Sequence, residues 1–297
     1  MSSKEILIYN GFPFHYEMIG CILEYCKRND IHATLVNTCK NEEWLQLYSQ
    51  IFSFTYLSEL PSLDIYSLVV LLTDDDMTFP DSLITDKTIC IDHYYLNRRP
   101  SIHHHLPISP FYEGIANYVF PVFSYISYEE KLASVKRPIL TFLGDTTLPP
   151  NRETFKRIEN IEDFDIYIIN RSIGWKDYRG MENVYVFENI GACEMFSLLS
   201  KTTYLCYIPN SCKNALEQSK NRTISACFPL SFTTGCILVF PETVNRFLSL
   251  ESAIKYTSSI RLETNPCFKK TFEERERLLS TAETAINSTL NKDSLPI

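Results

Sequence analysis

Several side chains in the first third of the chain have the types and spacing to do chemistry. His15 closes the stretch N-G-F-P-F-H behind a short apolar run, a place where an imidazole can take a proton from a hydroxyl at neutral pH. A histidine bonded locally at a helix start is the competing reading. Asp74, Asp75 and Asp76 follow the apolar run Leu68 to Leu72, and hard cations such as magnesium favour carboxylate oxygens. Three neighbours cannot all face one point, so at most two, Asp74 and Asp76, would ligate; a solvated turn is the alternative. Farther on, D-H-Y-Y-L-N-R-R sets Asp92 and His93 close before Arg98 and Arg99. The two guanidinium groups can clamp a carboxylate or phosphate bidentately, or pair with the acidic surface. His103, His104 and His105 carry metal-binding side chains, but neighbours on an extended chain alternate in direction, and no cysteine or carboxylate stands beside them at ligand spacing. The expectation there is a loop in which one histidine faces a ligand.

These residues need a scaffold, and the apolar pattern supplies one. Ile6 to Tyr9 reads as a strand, followed by a glycine-containing loop and a helix with Met18, Ile19, Ile22, Leu23 and Cys26 on one face. Ile31 to Val36 is a second strand, and Glu42 to Phe52 a helix. Leu68 to Leu72 and Thr88 to Ile91 are buried strands whose ends carry the aspartate and Asp92-His93 clusters. Strands alternating with helices imply parallel pairing, and polar clusters past strand ends belong at the ligand edge of such a sheet. Residues 100 to 121 read as a long loop containing a short strand at Tyr118 to Phe120.

The second half repeats this plan. After a boundary at Lys136-Arg137-Pro138, Ile139 to Leu143 is a strand ending at Gly144 and Asp145, and Asn151 to Ile161 a helix. Asp165 to Ile169 and Val184 to Phe187 are strands, the latter running into Glu188 and Asn189; Ala192 to Ser200 is a helix and Thr203 to Ile208 a strand. The segment R-T-I-S-A-C-F-P-L-S-F-T-T-G-C-I-L-V-F-P then organises the half. A helix from about Thr223, with Ile224, Cys227, Phe228 and Phe232 at helical spacing, stops at Gly235 and feeds the buried strand Cys236 to Phe240. Its N-terminus would offer free N–H groups to a phosphate; a core helix with nothing bound is the alternative. From Asn265-Pro266 onward, Phe268, Phe272, Leu279, Ala282, Ile286 and Leu290 form the stripe of a long closing helix. The expected architecture is α/β: two doubly wound sheets, residues 1–136 and 137–297, with the closing helix finishing the second or crossing back onto the first.

Composition narrows the class. The 297 residues suit two cores, and 45% hydrophobic with 13% aromatic content excludes a disordered chain. A net charge of -8 without a basic stripe argues against nucleic acid as a partner. The ten cysteines include no C-x-x-C pair, and Cys21, Cys90, Cys206, Cys227 and Cys236 lie inside apolar runs, as reduced core residues do. No run approaches the roughly 18 apolar residues of a membrane span, and the first residues lack the apolar core of a signal peptide, so a reducing, cytoplasmic setting is expected. The fingerprints G-x-G-x-x-G, G-x-x-x-x-G-K-[ST] and G-x-S-x-G are absent.

The order P-I-L-T-F-L-G-D, V-Y-V-F-E-N-I-G-A-C-E-M-F-S-L-L-S-K-T-T-Y-L-C-Y-I-P, S-A-C-F-P-L-S-F-T-T-G-C-I-L-V-F-P and the closing helix resembles GT-B glycosyltransferases, with their two Rossmann-like domains. The phrases L-L-T-D-D-D and C-I-D-H-Y-Y-L-N-R-R also look like those of glycosyltransferase-like proteins of large DNA viruses, which would make the setting a host cytoplasm. The resemblance implies a nucleotide-diphosphate sugar as donor on the C-terminal domain, a glycan, protein or small-molecule hydroxyl as acceptor on the N-terminal domain, and chemistry in the cleft. His15 takes the place of the catalytic base, with His93 second. Gly144, Asp145, Glu188, Asn189, Ser225 and Thr234 fall to the donor, the last two to its phosphates, and Arg98 and Arg99 to phosphate or acceptor. Retaining members commonly carry two glutamates eight positions apart where this chain has Arg222 and Leu230, which argues against the usual retaining site and leaves open a protein of this fold without catalysis. No cofactor beyond the nucleotide-sugar co-substrate is implied, and no metal is favoured. The alternatives are a binding or scaffold protein on the same fold without catalysis, and a metal-dependent GT-A-like transferase using Asp74 to Asp76.

Overall fold

In the computed structural model the described residues are 5–292, leaving aside 13–15, 40, 74–78, 94–100, 111–115, 144–155, 171–181, 208–224, 243 and 245–247. The chain divides into two units: Met1–Phe123 with Arg222–Ile224 and Glu276–Ile297, and Ser124–Asn221 with Ser225–Arg275. The change of unit falls at Phe123, ahead of the Lys136-Arg137-Pro138 stretch where the sequence places its boundary.

The first unit is built from β1 (Glu5–Asn10), α1 (Glu17–Arg28), β2 (His32–Asn37), α2 (Glu42–Ile51), β3 (Thr55–Leu57), β4 (Leu68–Leu72), β5 (Thr88–Asp92) and β6 (His104–Pro107). All pairs are parallel, in the order β3-β2-β1-β4-β5-β6. Every residue of β4 and β5 is buried, the signature of strands covered on both faces. Helix α1 lies close to its neighbours because residue 20 is glycine: a Cβ there would sit 2.5 Å from the Phe123 ring and 2.8 Å from that of Tyr48. Asn41 caps α2, its side-chain oxygen accepting from Trp44 N at 3.4 Å.

The second unit opens with α3 (Tyr128–Ser134), held by a capping box in which Ser127 Oγ accepts from Glu130 N (3.1 Å) and Glu130 Oε2 from Ser127 N (2.8 Å). There follow β7 (Ile139–Leu143), β8 (Asp165–Asn170), β9 (Val184–Glu188), α4 (Ala192–Lys201), β10 (Tyr204–Cys206), α5 (Cys227–Thr233), β11 (Ile237–Pro241) and β12 (Ile254–Tyr256). Their parallel sheet has the order β12-β11-β10-β7-β8-β9. Counted within its own sheet, each unit runs third, second, first, fourth, fifth, sixth: the same doubly wound plan twice. Helix α5 stops where Gly235 turns left-handed at φ 67°, and a Cβ there would meet the Phe272 ring at 2.6 Å.

Lys131 of α3 is wholly buried in this unit and ties two helix ends together. Its ammonium donates to Leu199 O (3.2 Å) in the last turn of α4 and Thr202 O (2.6 Å) just past it, and to Thr234 O (3.0 Å) behind α5. Three donors meet three carbonyls at the negative ends of two helix dipoles, with the Phe268 ring 5.5 Å away. Burial pushes the amine's pKa below the ordinary lysine value.

The closing helix α6 (Lys269–Lys292) contributes its residues up to Arg275 to the second unit and those from Glu276 to the first. Phe268 and Phe272 join the core of the second unit, where Glu274 accepts from Glu251 N (2.6 Å) and Ser252 N (3.0 Å). In the first unit, Tyr25 Oη donates to Asn287 Oδ1 at 2.8 Å and Arg28 pairs with Glu276.

The two parallel six-stranded sheets and the long helix are as expected, and they speak against the single-sheet GT-A alternative. Three local expectations change. Tyr118–Phe120 is not a strand; the sixth strand is His104–Pro107, fixed by parallel pairing with Ile89–Asp92, and Val119 N merely donates to Pro107 O (2.8 Å). The helix expected from Asn151 to Ile161 has its start outside the described residues; of the described part Lys156 is helical, and beyond it the chain leaves the helix for an isolated bridge at Ile158 and one 3₁₀ turn at Ile161–Asp163. The helix expected from about Thr223 begins, within the described residues, at Cys227; Pro229 is tolerated in its first turn, where no backbone donor is required. Among the described residues no helix is long and apolar enough to cross a membrane, and nine described cysteines form no disulfide.

Candidate functional site

Within each sheet the strands run parallel, so their carboxyl ends gather along one edge, and the winding reverses beside the first strand: at β1/β4 in one unit and β7/β10 in the other.

At this edge of the first unit two buried asparagines close the ends of β1 and β2. Asn10 Nδ2 donates to Asn37 Oδ1 (3.0 Å) and Phe12 O (3.1 Å), and Asn37 Nδ2 to Cys39 O (2.7 Å), which fixes both departing loops. Thr73, one residue past β4, is buried with φ 66°. A β-branched residue in the left-handed region is strained, typically by about 1–3 kcal/mol, and such strain collects at ligand sites. Its amide donates to Ile91 O (2.9 Å) and its hydroxyl to Met18 Sδ (3.5 Å), contacts that hold the strained backbone in place.

Asp92 ends β5, and His105 Nδ1 donates to its Oδ2 at 2.8 Å, both side chains being almost fully buried (2% and 4% exposed). In this pair the carboxylate oxygen is the acceptor and the imidazole N–H the donor. Nε2 is buried and has no hydrogen-bond partner. His93, the second choice as base, is 3% exposed; His103 is exposed and His104 half-buried.

In the second unit Glu188 ends β9 half-buried, and Asn189 is exposed and left-handed at φ 54°, a conformation asparagine tolerates. Ser225 is half-buried, its Oγ accepting from Cys227 N at 3.4 Å. Thr234 is fully buried, its hydroxyl committed to Leu230 O (2.7 Å), at the opposite end of α5 from the N–H groups that the sequence assigns to phosphate. Tyr207, past β10, packs edge-on to Phe228 with ring centres 5.4 Å apart.

His15, Asp74, Asp76, Arg98, Arg99, Gly144 and Asp145 lie outside the described residues. The structure therefore joins His105 to Asp92 and adds the Asn10–Asn37 bridge and Thr73. Their signal in the sequence is slight: polar residues closing apolar runs, and a histidine whose partner stands on the neighbouring strand.

No family model matches the sequence, and no curated protein matches it. Solved structures match it in fold. AviGT4, a glycosyltransferase involved in avilamycin A biosynthesis, superposes with a TM-score of 0.60 over 98% of both chains at 9% identity. A glycosyltransferase from Rickettsia africae ESF-5 does so at 0.52, over 99% of this chain and 97% of its own, at 9% identity. The UDP-GlcNAc 2-epimerase of Neisseria meningitidis, bound to UDP-GlcNAc, gives 0.52 over 97% and 100% at 12% identity. Nothing in these comparisons connects the chain with large DNA viruses. At such identities the likeness concerns fold, and the fold it establishes is α/β with two doubly wound Rossmann-like domains, GT-B-like, and a long C-terminal helix.

Proposed function

We propose that this chain is a glycosyltransferase that moves a sugar from a nucleotide-diphosphate sugar to a hydroxyl acceptor, with inversion and without a catalytic metal. The observation that carries the reading is the doubled doubly wound sheet, which matches a glycosyltransferase along 98% of both chains. On this reading the nucleotide sits on the second unit, against Gly144, Asp145, Glu188 and Asn189 with Ser225 toward its phosphates, and the acceptor on the first. His15 is the base that takes the acceptor proton as the glycosidic bond forms, with His93 as second choice, and Arg98 and Arg99 meet phosphate or acceptor. Arg222 and Leu230, standing where retaining relatives carry glutamates, support inversion.

A second reading is favoured by the Neisseria epimerase, which has the same fold over 97% of this chain: a nucleotide-sugar epimerase, which needs no acceptor. One experiment separates these from a non-catalytic binder. The protein is incubated with a panel of nucleotide sugars, thermal shift reports binding, and product analysis with and without a broad acceptor panel reports chemistry. A ligand at a hundred times its Kd stabilises by about 2.7 kcal/mol, well within detection. Acceptor-dependent release of the nucleoside diphosphate supports transfer. Epimerised donor without acceptor supports the second reading, and binding with neither product supports a scaffold. Turnover that requires added magnesium or manganese, and is lost in Asp74→Asn or Asp76→Asn, would overturn the metal-free mechanism.

A further inference from the structure

We propose that Cys90, Asp92 and His105 form a binding site for a divalent transition metal, zinc by the chemistry of its donors. The site follows from sheet register. Cys90 and Asp92 are two residues apart on β5 and so share a face, and parallel pairing sets His105 of β6 directly beside Cys90. A thiol, a carboxylate and an imidazole thereby bring one donor atom each within 4.8 Å of the others. Hard cations take oxygen ligands; sulfur, nitrogen and oxygen together suit zinc, which binds four ligands and leaves one position here for water or a further group.

Burial distinguishes this cluster from a chance meeting of polar residues. Cys90 and Asp92 lie on a strand buried along its whole length, and the His105 side chain is 4% exposed. Its Nε2 has no hydrogen-bond partner, and a buried polar atom left unsatisfied carries a cost that a bound ligand in the cluster can relieve by reorganising the imidazole and its proton. On binding, the Cys90 S–H bond breaks and its proton leaves to solvent. A sulfur lone pair bonds the metal, and the imidazole, neutral, ligates through one nitrogen while the other keeps the ring proton. The proposal uses none of the residues assigned to donor or base, and it stands whether or not the protein transfers sugar.

The test uses the full chain, stripped with chelator under reducing conditions and titrated with cobalt(II). The expected result is one equivalent bound, with a thiolate-to-cobalt charge-transfer band and the strong visible bands of four-coordination, all displaced by zinc. Cys90→Ser should remove the charge-transfer band, and Cys90→Ser and His105→Gln should each weaken zinc binding by at least about 10–100-fold, since even outer partners of a metal ligand carry that much. Cys267→Ser, which alters an exposed thiol, should leave the band intact. Absence of stoichiometric binding, or a charge-transfer band that survives in Cys90→Ser, overturns the proposal. Should Cys90→Ser fail to fold by circular dichroism, zinc affinity in His105→Gln decides the matter, because that variant keeps the side chain's bulk: unweakened binding there overturns the proposal as well.

Discussion

Replacing Lys131 with methionine tests whether the second unit depends on one ammonium to close two helix ends. Methionine fills nearly the same volume, so packing is conserved and the loss is chiefly of donors. Leu199 O would keep Thr202 N (3.1 Å) and Cys236 Sγ (3.1 Å), whereas for Thr202 O and Thr234 O the ammonium is the described donor. Leaving two buried carbonyls unsatisfied costs about 1–3 kcal/mol each, and not having to bury a charge gives part of that back, for a net loss of about 2–4 kcal/mol. With a urea m-value of about 2–3 kcal/mol/M, the unfolding midpoint should fall by about 1 M. The pH dependence has a definite sign. Burial depresses the folded-state pKa below 10.5, so between the two values the unfolded chain holds more protons and folding is favoured as pH rises. The advantage of the parent protein over Lys131→Met should therefore widen as pH climbs through that window toward 10.5. Parent and variant with midpoints within about 0.2 M of each other (about 0.5 kcal/mol) would refute the reasoning.

His15→Ala should lower turnover by about a hundred- to ten-thousand-fold with donor affinity nearly unchanged, read from kcat and donor KM; full turnover would remove His15 as the base, and His93→Ala is the comparison. Gly235→Ala should destabilise by at least about 1–3 kcal/mol in denaturant titration, because φ 67° disfavours a side chain and the new methyl meets the Phe272 ring. Burial raises the Cys21 and Cys26 thiols to about 12, so iodoacetamide at about pH 8 should label exposed Cys267 and spare both in the native protein; mass spectrometry of digests decides.

What was legible in the sequence was whatever one segment could say by itself. β4 is an unbroken apolar run, β5 carries Ile89, Cys90 and Ile91 in a row, and Gly235 followed by five apolar residues reads directly as a helix stop and a buried strand. β6 was not legible, because H-H-L-P has neither alternation nor β-branched residues and becomes a strand only through pairing with β5. The three-residue edge strands β3 and β12 escaped for the same reason: their neighbours impose them. At the candidate site, His93 was visible as a polar residue past a strand, but the carboxylate at the same strand end is bonded to His105, thirteen residues on. Local spacing around His103 to His105 holds no second ligand type, because the cysteine and aspartate arrive from across the sheet.

The way α6 is apportioned bears on how the protein is made. The first unit is interrupted after Phe123 and resumes in earnest only at Glu276, about 150 residues later. At ~5–20 residues per second, a ribosome takes on the order of ten seconds or more to synthesise that interval. Meanwhile Tyr25 and Arg28 lack Asn287 and Glu276, the groups that α6 will supply. The second unit, whose described segments all precede Glu276, can settle first, so the first unit has its whole sheet early and gains the α6 partners of α1 last.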